Sequence, residues 1–154
     1  MRARTVVTVA LLAPILACQQ ERAPASAQEV EYLMSTATSE MGLPFSDAVR
    51  VGNALYLSGQ IGNVPGTLEL VPGGIVEETR QTLENIRTIL DRHGSSLGHV
   101  VKCTVMIEDM SQWPAMNEVY RTFFTKQLPA RSAVGADGLA LGAAVEIECF
   151  ATVP

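Results

Sequence analysis

Between Ile75 and His93 the apolar side chains fall on one helical stripe, and that stripe constrains everything around it. Thr79, Leu83, Ile86 and Leu90 recur at helical spacing, and Val76 and Ile89 widen the band. Glu77 and Glu78 stand in the first turn and Arg87, Arg92 and His93 near the end, the charge order that the helix dipole favours. Gly94 supplies a stop. A helix that is apolar on one side must bury that side against another layer, and the flanking sequence offers a sheet. In Val100 to Glu108, Val101, Cys103, Val105 and Ile107 share one face, and Lys102, Thr104, Met106 and Glu108 the other. Ala143 to Thr152 repeats this, with Val145, Ile147, Cys149 and Ala151 against Glu146, Glu148 and Phe150.

The other segments fit the same plan. Glu29 to Ala37 alternates weakly and is expected to be an edge strand. Ala48–Val51 and Ala54–Ser58 flank Gly52-Asn53 and read as a hairpin. Residues 62–74 carry Pro65, Gly66, Pro72, Gly73 and Gly74, the composition of a loop with room for one short strand. A second helix follows Val100–Glu108. Asp109 or Ser111 can cap it, Pro114 suits its first turn, and Trp113, Met116, Tyr120, Phe123 and Phe124 form its expected buried stripe. Ser132 to Gly135 is a further strand. The expected fold is α+β, with a mixed sheet carrying two helices on one face. The opposite face, with Glu146, Glu148 and Phe150, is left to line a site or a subunit interface.

Composition narrows the function. The net charge is -5 and no Lys/Arg cluster occurs, which argues against a nucleic-acid surface. The three cysteines show no CxxC spacing and His93 and His99 no HExxH spacing, so no metal site is expected. Cys103 and Cys149 lie on the apolar faces of their strands and are expected to be buried free thiols, although an export compartment would permit a disulfide. Arg2 and Arg4 precede an apolar run, Thr5 to Ala17, that is too short to span a bilayer, which takes about 20 residues. The run ends in Ile15-Leu16-Ala17-Cys18, which resembles the lipobox of bacterial lipoproteins, with Leu16 larger than usual. This divides the chain into a signal peptide (1–17), a lipidated Cys18 with a polar tether (18–28), and a folded domain (29–154). Gln19, rather than Asp, after the cysteine implies the periplasmic face of the outer membrane, with the lipid anchor as the one membrane contact.

Three local patterns can carry chemistry: Ser58-Gly59-Gln60-Ile61 at a strand end, Asn117 on the second helix, and Pro129-Ala130-Arg131-Ser132 followed by Val145-Glu146-Ile147-Glu148. A guanidinium fixed at a strand start grips a carboxylate through two parallel hydrogen bonds. A glutamate in an otherwise apolar strand is tuned by its surroundings as a base or water-holder. Each residue also has a bland reading: an ion-pair arginine, a solvent-facing glutamate, a helix-surface amide, a turn.

In content and order, SGQI, the Val100–Val105 strand, Asn117–Phe124, PARS and VEIE resemble the Rid (YjgF-like) family over roughly residues 44–153. The resemblance implies a chorismate-mutase-like fold, a homotrimer with sites between subunits, and hydrolysis of 2-imino acids to 2-keto acids and ammonia without metal or organic cofactor. It assigns Arg131 to the substrate carboxylate, Glu146 to the attacking water, and Ser58, Gly59 and Asn117 to the pocket. Phe45 stands where family deaminases commonly have Tyr, Ala133 where many have Cys, and Asp137 where a small or basic residue is usual. The alternative is a trimer that binds a small carboxylate, or acts as a chaperone, without turnover. Phe45, Ala133 and export favour that alternative; Arg131 with Glu146 favours the enzyme. Endoribonuclease activity, known for some relatives, has little support in an acidic exported chain.

Overall fold

The computed structural model describes residues 28–154, so the expected signal peptide, Cys18 and nearly all of the expected tether lie outside the described residues. The order is β1 (Val30–Leu33), α1 (Thr36–Glu40), β2 (Ala48–Val51), β3 (Ala54–Leu57), β4 (Gln60–Ile61), α2 (Gly74–Arg92), β5 (Val100–Ile107), α3 (Trp113–Phe123), β6 (Ala130–Gly135) and β7 (Val145–Thr152). The strands form one sheet in the order β1-β2-β3-β7-β5-β6, with β4 also paired to β7. β5 and β6 run parallel and are joined through α3; the other pairs are antiparallel. The expected α+β class and mixed sheet are therefore present.

The two long helices cover one face of the sheet. Leu83, Ile86 and Leu90 of α2 and Met116, Tyr120 and Phe124 in and after α3 pack onto Leu55, Leu57, Val105, Ile107, Val145 and Ile147. The stripe seen in the sequence is the buried one. Gly94 ends α2 in the left-handed region, with φ +76, where glycine carries no side-chain penalty.

Several expectations need correction. The segment expected as one edge strand divides: β1 stops at Leu33 and five residues coil into α1. Ser35 caps that helix by accepting from the Thr38 amide. β4 was not anticipated, since two residues leave no period to detect. Asp109 caps a single 3-10 turn, Met110–Gln112, before α3. Trp113 is 37% exposed and so lies outside the buried stripe.

Cys103 and Cys149 are buried as expected, but they are not free: a disulfide joins them. They face each other across adjacent antiparallel strands. Alternation assigns each cysteine a face, but not the cross-strand partner that decides whether two sulfurs meet.

Candidate active site

Glu146 lies on the face of β7 opposite the helices, where its neighbours across the ladders are Met106 of β5 and Ile61 of β4. The Ser58-Gly59 corner that joins β3 to β4 passes directly beside it. A methyl group on Gly59 would overlap the Glu146 Oε1 atom, so the glycine is required by close approach. The Ser58 hydroxyl donates to the Ser46 carbonyl at 2.7 Å, which ties the corner to the segment leading into β2. Burial, and then the charge of Glu148 two residues on, raise the Glu146 pKa above the ordinary glutamate value.

Glu146, Ser58, Gly59 and Phe45 line one cleft of about 590 Å³. Its far wall is α1 and the chain after it. Asp47 fixes this wall: its carboxylate accepts from the Ser35 amide at 2.7 Å and from the Thr38 hydroxyl, and Arg92 of α2 lies 3.5 Å away. Asp47 is buried, and sequence reasoning missed it, because its importance comes from a short helix without a stripe, α1, and from Arg92 of α2, remote in sequence.

Most polar side chains lining the cleft already have intramolecular partners. Thr38 meets Asp47, Ser58 meets Ser46, Gln60 donates to the Ser58 and Gly59 carbonyls, Asn85 donates to Ile61 and Asn63, and Thr88 donates to Glu84. Among the described residues, none donates a hydrogen bond to the Glu146 carboxylate. It is the acceptor left for a water or a ligand.

Arg131 and Asn117 occupy a second hollow of about 300 Å³ with Tyr120, Phe124, Leu128 and Pro129. The Arg131 guanidinium lies 4.6 Å from the centre of the Tyr120 ring and 5.8 Å from that of Trp113. None of the salt bridges among the described residues involves Arg131. The Tyr120 hydroxyl is buried without a partner, and burial pushes its pKa up to about 12. Arg131 is level with Cys103 and Cys149 on the helix side, whereas Glu146 points to the other side. Within one chain, then, Arg131 and Glu146 do not face one space. Ala133 lines neither cavity; it is level with Val105 and packs against the core.

Residues 36–153 match the model of the family described as endoribonuclease L-PSP. The mouse 2-iminobutanoate/2-iminopropanoate deaminase is 45% identical over 108 residues, covering 70% of this chain and 80% of that protein. Among solved structures, a member of the conserved Rid protein family from Yersinia pestis superposes with a TM-score of 0.74 at 35% identity, covering 81% of this chain and 100% of the other. The YjgF gene product of E. coli superposes with a TM-score of 0.69 at 33% identity, covering 73% and 90%.

Proposed function

The chain belongs to the endoribonuclease L-PSP family, which includes the Rid and YjgF proteins, and from that membership we propose that it is a cofactor-independent deaminase that hydrolyses 2-imino acids. The observation that carries the proposal is the pair of incomplete half-sites. Among the described residues, one holds an acceptor, Glu146, with no internal donor, and the other holds a cation, Arg131, with no internal anion. A 2-imino acid supplies what each lacks. Its carboxylate takes the two parallel hydrogen bonds of Arg131, and its C=N carbon takes the water that Glu146 orients. Water adds to that carbon, nitrogen accepts the protons, and the C–N bond breaks, leaving a 2-keto acid and ammonia. Asn117 borders the carboxylate end, and Ser58, Gly59 and Phe45 border the reacting carbon.

Because Arg131 and Glu146 face different spaces, the proposed site is shared between copies in a homotrimer. The helix-free sheet face supports such an assembly. Tyr32, Val49, Tyr56 and Phe150 line up across it, level with Lys102, and Tyr56 meets Phe150 edge-on at 5.2 Å. Tyr32 is 76% exposed in the single chain, an apolar surface that association would cover. Ribonuclease chemistry fits the cleft less well. Among the described residues, Arg92 is the one cationic residue lining it, and it is engaged with Asp47.

Lipidation at Cys18 and a periplasmic location are part of the proposal. The Cys103–Cys149 bond supports them, because disulfides persist in oxidising compartments. The test of activity is a coupled assay in which an amino-acid oxidase generates imines and semicarbazone formation is followed. The protein is expected to suppress the semicarbazone and accelerate keto-acid release. Arg131-dependent binding of a carboxylate without hydrolysis would instead identify a binding module.

A further inference from the structure

The cleft that holds Glu146 is larger and more apolar than a three- or four-carbon imino acid needs, and we propose that its substrates are 2-imino acids with bulky apolar side chains, of the branched-chain or aromatic kind. The inference rests on the deaminase reading and specifies it further. A cavity of about 590 Å³ falls within the size range of pockets that hold drug-sized ligands. Glu146 shares that cleft with the apolar side chains of Met41, Leu43, Phe45, Ile61, Leu68 and Leu141.

Two further observations point the same way. First, the polar side chains along the cleft are already engaged within the chain: Thr38 and Arg92 with Asp47, Ser58 with Ser46, Gln60 and Asn85 with backbone carbonyls, and Thr88 with Glu84. A polar substrate side chain would lose its water and find few free partners, whereas an apolar one would only gain contacts. Second, Phe45, Leu68 and Leu141 are 46%, 49% and 55% exposed in the chain, and all three border this one cleft. Leu141 also adopts a left-handed backbone, with φ 58 and ψ 13, and is the only non-glycine residue with positive φ among the described residues. A glycine would hold that turn without strain. The leucine side chain at the cleft rim is therefore kept against a local backbone preference, as happens where a side chain serves a site.

The test uses the full-length protein in the coupled oxidase assay, with imines made from alanine, 2-aminobutyrate, leucine and phenylalanine. Burial of three added carbons predicts a kcat/KM for the leucine-derived imine at least about tenfold above that for the alanine-derived one. Leu141→Gly relieves the backbone and removes the side chain, so the leucine-to-alanine ratio should narrow by roughly threefold or more, with the circular dichroism unchanged. Hydrolysis of the small imines with no preference for the large ones overturns this assignment and leaves the deaminase reading intact. A leucine-to-alanine ratio unmoved in Leu141→Gly also overturns it. Failure to hydrolyse any imine removes both readings.

Discussion

Gly59 is a glycine because the Glu146 carboxylate occupies the place where a side chain would begin. The corner and the glutamate come from β3–β4 and β7, far apart in sequence, and the β4–β7 pairing brings them together. Gly59→Ala should push the carboxylate off its position without straining the backbone, since the Gly59 φ is not positive. Displacement of a catalytic group by about 1 Å costs on the order of 100-fold, so kcat should fall by about that factor with little change in KM. Steady-state kinetics, with the fold checked by circular dichroism, reads this. Full activity in Gly59→Ala would show that Glu146 need not sit where the structure has it.

In the proposed mechanism the raised pKa of Glu146 should set the acid limb of activity. The water-orienting form is the carboxylate, so kcat/KM should fall as pH drops through a value above that of a free glutamate. In stability terms the sign is opposite: protonated Glu146 favours the fold, a contribution present at low pH and lost as pH rises through the raised value. Glu148→Gln removes the nearby negative charge and should move the acid limb to lower pH. The move should be partial, because burial is the larger cause and is unchanged. A limb that stays in place or moves upward would refute the assignment of this titration to Glu146.

The aromatic seat under Arg131 should matter for substrate capture. Arg131→Ala removes a charge-assisted fork, worth about 2–4 kcal/mol, or roughly 30- to 1000-fold in kcat/KM. Arg131→Lys should recover little, because an ammonium is a point charge. Tyr120→Phe keeps the ring 4.6 Å from the guanidinium, and Tyr120→Leu removes it. KM should rise more in the leucine variant than in the phenylalanine one. Equal effects would separate the ring from the function of Arg131.

The disulfide closes a sequence separation of 46 residues. In the chain-entropy account, a loop of that size contributes about 4 kcal/mol. Alkylation under denaturing, non-reducing conditions should leave Cys103 and Cys149 unmodified, with a mass ~2 Da below that of the dithiol. Reduction should lower the unfolding midpoint in denaturant. Two alkylated thiols in protein taken from an oxidising compartment would contradict the bond.

The long periodic elements were legible in the sequence because each shows its own period. α2, β5, β7 and the β2–β3 hairpin fall where apolar spacing places them, except that a register shift between Val100 and Lys102 buries Val100 and leaves Val101, expected on the apolar face, exposed. α1 was not legible. Five residues, TATSE, carry no stripe, and the helix depends on the Ser35 cap and on Asp47. The site divides in the same way. Arg131 and Glu146 could be picked out singly, by residue type and by resemblance to the Rid family. Their positions on opposite faces of the sheet could not, because that follows from the register of β6 on β5 and of β5 on β7, as does the disulfide. Ala133, expected at the pocket, lines neither hollow of the single chain, and its register with Val105 sets it beside the core.

The proposed shared site is tested most directly by complementation between two variants expected to be inactive, Arg131→Ala and Glu146→Gln, co-expressed with different tags. In a trimer selected for both tags, about one site in three pairs an intact Arg131 from one copy with an intact Glu146 from the next. Such trimers should therefore recover about one third of wild-type imine hydrolysis, although each variant alone should be nearly inactive. If doubly tagged oligomers stay as inactive as the parent variants, the site is not built from Arg131 of one copy and Glu146 of another.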